Sequence, residues 1–241
     1  MNNTNVLRQR LRTEMPWLKG MKTSVSRLSD TVRFMFHGWR YLPIRKYLYI
    51  DGWLTYGEAI GLYELAQSLP AKHPVIVELG SWLGKSSVIL AKGIQGKQDP
   101  VIYCIDPFDA TDDGVQHDNY VERKERMARP LVDIFIENMK KNGVYGVSRV
   151  LRGMSYEFSK DFSERIDLLF IDANHEYEAV RRDYEEWAPH LKPGGLLAFH
   201  DVVEKGSCPG PWRVIKEQIL GNPLWLEQRQ VDSLYIARKA S

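Results

Sequence analysis

Cysteine is almost absent from this chain: 241 residues contain only Cys104 and Cys208. Two thiols make no disulfide framework, and their scarcity favours a reducing compartment. Cys104 falls in an apolar run and reads as a small core residue, whereas Cys208 lies in a Gly/Pro-rich loop. No run of about 18 apolar residues occurs, so no membrane-crossing helix is expected. The first residues also lack the unbroken apolar core of a secretory leader. A cytoplasmic setting is therefore expected. Internal repeats and low-complexity segments are missing too. What is there, 44% hydrophobic and 27% charged residues, is the composition of an ordinary globular protein, long enough for one α/β domain and an extension.

A large net charge is likewise lacking, but the overall +2 hides an asymmetry. Residues 1–50 carry ten Lys/Arg against Glu14 and Asp30, so the remaining residues are net acidic. The division expected is a basic, partly helical extension over 1–50 and a catalytic-type α/β domain over 51–241. Within the extension Val25, Leu28, Val32, Met35 and Trp39 recur at spacings of three and four, which places them on one helical face. That face has two open uses. It packs on its own domain or on a second subunit in a homo-oligomer, or it lies peripherally on an anionic membrane surface. Nucleic acid is disfavoured as a partner, because the arm holds no reading-head motif and the body is acidic.

The chain is organised around Val75 to Ser87. The β-branched run Val75-Ile76-Val77 reads as a buried parallel strand, Gly80 and Gly84 as a tight turn, and Ser86 to Ala91 as a helix. Such a turn lets a ligand approach the main chain and offers it the free N–H groups of the helix. A nucleotide-like cofactor is expected there. Trp82 stands where a dinucleotide fingerprint needs its middle glycine. That disfavours an NAD-linked oxidoreductase, the first alternative; the second is a non-catalytic binding protein that keeps the fold. A further apolar run, Val101 to Ile105, ends at Asp106, an acidic strand tip suited to ribose hydroxyls.

Thr55 and Glu58 fit a capping box for a helix from Ala59 to Leu69, stopped by Pro70. Residues 107–120 are polar and acidic without periodicity and read as a candidate substrate lid with Asp109, Asp112 and His117. A helix from Val121 to Asn142, a strand from Val147 to Leu151 and a strand from Asp167 to Ile171 ending at Asp172 are predicted next. They are followed by a helix from Glu176 to Leu191, ended by Pro193-Gly194-Gly195, and a strand from Leu196 to Phe199 ending at His200-Asp201. A loop over Gly206 to Pro211, a helix from Trp212 to Leu220 and a hairpin of Trp225–Val231 with Leu234–Ala237 close the chain. The rhythm predicts an α/β fold: a Rossmann-like, doubly wound, mostly parallel sheet with a C-terminal antiparallel hairpin.

Asp172 and Asp201 end strands expected to be neighbours, so their carboxylates meet at one edge, towards which Glu78 and Asp106 are also expected to point. Converging carboxylates need a shared cation or proton, and hard divalent ions such as Mg²⁺ suit oxygen ligands. His175 is either a general base or a residue that caps the next helix or bonds a carbonyl. His200 is a nitrogen ligand, a second base or a packed side chain; ligation by it would favour Mn²⁺, Fe²⁺ or Zn²⁺.

Glu78-Leu-Gly80-Ser-Trp-Leu-Gly84-Lys-Ser86 resembles the first motif of class I S-adenosylmethionine-dependent methyltransferases, and Ile105-Asp106-Pro107-Phe108 their second. The stretches Ile166 to Tyr177 and Leu191 to Asp201 are similar to the subgroup of macrocin-type sugar O-methyltransferases and cephalosporin-tailoring methyltransferases. The resemblance covers roughly Gly52 to Lys239. It implies S-adenosylmethionine bound by Glu78, Gly80, Ser81, Gly84, Ser86, Asp106, Ser155 and Asp172, with Gly153-Met154-Ser155 at the adenine ring and Trp53 and Tyr56 near the pocket. The Asp172-x-x-His175 spacing implies a metal-ligand aspartate and His175 as the catalytic base. The metal set is then Asp172, His200 and Asp201, with the departure that relatives place two adjacent acids where this chain has His200-Asp201. The implied reaction is methylation of a hydroxyl on a small molecule, sugar, sugar-bearing natural product or polysaccharide.

Overall fold

The computed structural model describes residues 38–110, 117–205 and 209–241. The chain divides into a unit of residues 1–48 and a unit of residues 49–241. The described part of the first begins at Gly38 and runs into a 3₁₀ segment, Trp39–Tyr49, with Pro43 inside it. The helical face through Val25, Leu28, Val32 and Met35 lies outside the described residues, as do Asp112, the side chain of His117, and Cys208.

The second unit is built on seven strands: β1 Val75–Leu79, β2 Val101–Asp106, β3 Ser148–Arg152, β4 Ile166–Ile171, β5 Leu191–Phe199, β6 Trp225–Val231 and β7 Leu234–Lys239. They run in the order β3-β2-β1-β4-β5-β7-β6, parallel from β3 to β5 and antiparallel at β7 and β6. This is the doubly wound sheet with a C-terminal hairpin that the strand rhythm predicts. Among the described residues seven α-helices accompany it: α1 Tyr56–Ser68, α2 Lys85–Ile94, α3 His117–Glu125, α4 Leu131–Lys141, α5 Ser155–Phe158, α6 Tyr177–Trp187 and α7 Pro209–Val214, the last continuing into a π turn, Ile215–Ile219.

Every residue of β1 and β4 is buried, as a parallel strand covered on both faces requires. On one side α1 and α2 cross closely enough that a Cβ at Gly93 would lie 2.4 Å from that of Ala66. On the other, Val180, Tyr184 and Trp187 of α6 pack with Leu169, Leu197 and Phe199. Asp167 locks the N-terminal edge: its Oδ2 accepts from the Val75 N–H at 2.8 Å, and both carboxylate oxygens accept from Lys192 Nζ at 2.8 Å.

Two predicted boundaries are corrected. The helix expected over Val121–Asn142 is two helices, α3 and α4, because Pro130 cannot donate to a helical ladder and restrains Arg129; it precedes α4 as its N-terminal flank. Pro193-Gly194-Gly195 does not end a helix; it lies inside β5, next to a register shift between Ile166 and Leu168, where a proline is tolerated. The helix before it stops at Trp187 and passes into a 3₁₀ turn, Ala188–His190.

Candidate active site

The winding direction reverses between β1 and β4, and the crevice at such a switch point, beyond the strand C-termini, is where open α/β sheets bind ligands. Main-chain bonds carry the ladder past the strand ends: Gly80 N–H to Ile105 O at 2.9 Å, Asp172 N–H to Leu79 O at 2.8 Å, Gly153 N–H to Asp106 O at 3.1 Å and His200 N–H to Ile171 O at 3.1 Å. The tips carrying Gly80, Asp106, Gly153, Asp172 and His200 therefore form one continuous rim.

A cleft lies against this rim, bordered by Gly80, Asp106, Ser155, Asp172, Asp183 and Arg182 among others. Gly80 has φ +83, and a Cβ on it would stand 2.1 Å from the carbonyl oxygen of Asp172. Asp106 holds the turn above it: Oδ2 accepts from the N–H groups of Ser81 at 2.9 Å and Trp82 at 2.7 Å, and Oδ1 from Phe108 at 2.6 Å. Burial raises the Asp106 carboxyl to about 6, against the pull of those N–H groups. Ser155 borders the cleft and donates its hydroxyl to Asp183.

Glu78 takes a different place from the one expected at the crevice. It is 0% exposed and borders neither the cleft nor the smaller cavity described below. Its Oε2 accepts from the hydroxyls of Ser81, at 2.8 Å, and Ser87, and its Oε1 has no hydrogen-bond partner. Burial pushes this carboxyl up to about 7, opposed by the serine hydroxyls. Glu78 thus braces the glycine turn from beneath. Gly84 is also away from the cleft, its Cα facing the ring of Phe135.

A second, smaller cavity shares Gly80, Trp82, Tyr120 and Asp172 with the cleft and adds Ser81, Ser86, Trp53, Lys85, His200 and Asp201. Trp53, Trp82 and Tyr120 stand ring to ring along it, with centroids 4.9 to 6.1 Å apart, and the Arg123 guanidinium lies 4.0 Å over Trp53. Lys85 Nζ donates to Gly52 O at 2.8 Å. Of the residues read as bordering the pocket, Trp53 does so here; Tyr56 borders neither cavity.

The acidic pair converges as β4 and β5 adjacency demands. Asp201, at φ +52, puts Oδ2 3.0 Å from His175 Nε2 and 3.3 Å from His200 Nδ1. Asp172 Oδ1 lies 3.1 Å from His200 Nδ1. Burial raises Asp172, with His200 opposing; for Asp201 burial is outweighed by hydrogen bonds from His175 and His200, and the carboxyl falls below its ordinary range. Burial would lower His200, but the charges and bonds of Asp172, Asp201 and Glu58 raise it well above the ordinary value.

The expected metal set is altered by this geometry. Asp172, His175 and Asp201 offer ligand atoms within 4.8 Å of one another, a mixed carboxylate and imidazole set that fits a divalent ion. His200, expected as a ligand, borders the smaller cavity with both aspartates, but its Nδ1 already faces them and its Nε2 faces Glu58 at 3.2 Å. His175, expected as a base open to the acceptor, is 2% exposed and borders neither cavity; Nε2 meets Asp201.

Arg182 and Asp183 at the cleft, and the partnership of Glu58 with His200, are not among the site features predicted from sequence. Asp183 was within reach, since it lies three residues after Val180 and four before Trp187 and so shares their inward face.

The sheet order, the rim and the cleft define a Rossmann-like α/β enzyme. A family described as methyltransferase domain matches residues 77–202, just over half of the chain, from within β1 to just past β5. The chain belongs to that family. Its fold is similar to that of an O-methyltransferase from Streptomyces achromogenes, TomG, solved with SAM (14% identity, TM-score 0.58, 78% of this chain and 82% of that one). An O-methyltransferase from Bacillus cereus solved with SAH is similar too (16% identity, TM-score 0.58, 83% and 90%). In sequence the chain is 27% identical over 166 residues to the uncharacterized protein y4gI of Sinorhizobium fredii. That match covers 68% of this chain but 16% of the relative, so the chain spans about a sixth of that protein's length. Among the described residues no helix is long and apolar enough to cross a membrane.

Proposed function

We propose that the chain is an S-adenosylmethionine-dependent O-methyltransferase in which a divalent ion assists, and that its acceptor is a hydroxyl of a sugar, a sugar-bearing natural product or a polysaccharide. The observation that carries this reading is that Asp172 borders both cavities: a donor in the larger and an acceptor in the smaller meet at one carboxylate. In the proposed arrangement Asp106 and Ser155 lie beside the nucleoside end of the donor, Gly80 leaves its main chain open to it, and Glu78 keeps the turn in shape. When bound, S-adenosylmethionine supplies an electrophilic methyl on a sulfonium. An ion on Asp172, Asp201 and His175 would supply Lewis acidity to the acceptor hydroxyl.

The chain's own groups then position and deprotonate. Asp172 and Asp201 orient the acceptor oxygen in line with the methyl group. The Asp201 carboxylate, which borders the smaller cavity and is held by His175 Nε2 at 3.0 Å, takes the hydroxyl proton as the new O–CH₃ bond forms and the S–CH₃ bond breaks, leaving S-adenosylhomocysteine. The Trp53, Trp82 and Tyr120 rings give the acceptor an apolar face to lie on and keep bulk water from the reacting atoms. The similarity of the Asp172 and Asp201 stretches to macrocin-type enzymes supports the saccharide class.

The test is transfer of labelled methyl from S-adenosylmethionine to a panel of saccharide and phenolic hydroxyls, with and without a chelator, alongside calorimetric titration with S-adenosylhomocysteine. Micromolar binding, transfer to saccharides and loss of transfer with chelator or in Asp172→Asn are expected. No binding of S-adenosylhomocysteine refutes the donor assignment, full activity in chelator refutes metal assistance, and transfer confined to phenols refutes the acceptor class.

A further inference from the structure

Glu58 looks in sequence like an ordinary capping-box acid, and it does cap α1: its Oε2 accepts from the Thr55 N–H at 2.8 Å while Thr55 Oγ1 accepts from the Glu58 N–H at 3.1 Å. A helix cap needs no burial, yet this carboxylate is 1% exposed. Its other contacts reach far along the chain. Oε1 accepts from the N–H and the hydroxyl of Ser233, in the turn between β6 and β7, at 2.9 and 2.6 Å. Oε2 faces His200 Nε2 at 3.2 Å, inside the protein.

His200, 3% exposed, is therefore held from both ends. Its Nε2 faces Glu58 at 3.2 Å and its Nδ1 faces the strand-end aspartates, so neither ring nitrogen lacks a carboxylate neighbour. With Nε2 tied to Glu58, the ring turns Nδ1 into the gap between Asp172 Oδ1, at 3.1 Å, and Asp201 Oδ2, at 3.3 Å. The ring edge thereby spans the space between the two carboxylates. Asp201 is also held at φ +52, a conformation a non-glycine residue keeps only where its surroundings over-determine it. The next residue contributes to that constraint, because the Val202 N–H donates to Ser233 O at 2.9 Å, in the same turn that Glu58 binds.

We propose that Glu58 is a positioning residue of the reaction centre, anchoring the His200 ring so that its Nδ1 sets the spacing of Asp172 and Asp201. The start of α1, the β6–β7 turn and the two strand-end aspartates are thereby one mechanical unit. This rests on the assignment of both aspartates to the acceptor site.

The test uses the full chain with two variants, Glu58→Gln and Thr55→Ala, and two probes, Mn²⁺ alone and S-adenosylhomocysteine. In Glu58→Gln the hydrogen-bonded Nε2 proton of His200, seen in a ¹⁵N-histidine-labelled sample, disappears; the Mn²⁺ dissociation constant rises at least tenfold and that of S-adenosylhomocysteine stays within threefold. Thr55→Ala lowers thermal stability through the cap but leaves the His200 proton and the Mn²⁺ affinity in place. A Glu58→Gln protein that keeps both overturns the proposal, and so does a Thr55→Ala protein that loses both, since the effect would then come from the helix end. A wild-type chain that binds S-adenosylhomocysteine and no Mn²⁺ refutes metal assistance instead, and the His200 proton still decides the role of Glu58. If Glu58→Gln does not fold, Glu58→Asp, which withdraws the carboxylate by one methylene, is expected to lose the same signal.

Discussion

Replacing Gly80 with alanine separates two demands that the β1 turn makes on one residue. The first is conformational: at φ +83 an L side chain costs about 1–2 kcal/mol. The second is spatial. The added Cβ would stand 2.1 Å from the Asp172 carbonyl oxygen and 2.6 Å from the Ala173 Cα, both main chain, so no rotamer change relieves it. Restoring ordinary contact requires the turn and the tip of β4 to part by about 1 Å, at an overpacking cost of about 1–3 kcal/mol. The sum, about 2–5 kcal/mol, corresponds to a fall in Tm of roughly 5–15 °C for a domain of this size. Because Asp172 and Ala173 border the cleft, affinity for S-adenosylhomocysteine is expected to fall at least tenfold, about 1.4 kcal/mol. Gly143→Ala is the control: it sits at φ +67 with nothing within 4 Å, so it carries the conformational cost alone. Thermal unfolding and calorimetric titration of both variants read the two effects. A Gly80→Ala protein no less stable than Gly143→Ala, or one that binds S-adenosylhomocysteine within threefold of wild type, would refute the close approach of turn and strand as the basis of the cleft.

Two further outcomes follow from the same geometry. Glu78 has its folded value raised to about 7 from 4.5, so the folded state holds its proton more tightly than the unfolded chain does. Its contribution to stability is present in full below 4.5 and is lost as pH rises through 7, by about 3 kcal/mol at about 1.4 kcal/mol per pH unit; urea unfolding at pH 5 and pH 8 should show this difference in wild type and lose it in Glu78→Gln, and equal slopes in the two proteins would show that Glu78 is not the group responsible. Trp82 borders the cleft and Trp53 does not, so quenching of tryptophan fluorescence by S-adenosylhomocysteine should largely vanish in Trp82→Phe and persist in Trp53→Phe, with the reverse pattern contradicting the placement of the donor.

Much of this protein was legible residue by residue. The β-branched run at Val75, the capping box at Thr55 and Glu58 and the hairpin at Trp225 all form within about two residues of the predicted bounds, because each is encoded by neighbours along the chain. The break at Pro130 was equally local and was there to be read, since a proline stops the ladder on its own account.

What could not be read were the choices made between distant segments. Glu78 is the last residue but one of a strand buried along its whole length, so nothing local says that its carboxyl turns down to Ser81 and Ser87 and away from the cleft. The adjacency of β4 and β5 followed from the winding rule, which brought Asp172 and Asp201 together in advance. Which histidine joins them depended on Glu58, 142 residues before His200, claiming Nε2 from the far side. The sequence by itself determined the elements, their order and the edge of the sheet where the chemistry gathers, because periodicity and turn residues act over a few bonds. Only the tertiary structure decided which polar groups face the ligand and which brace the frame, because a buried carboxylate or imidazole turns towards whatever donor or acceptor the packing brings within about 3 Å.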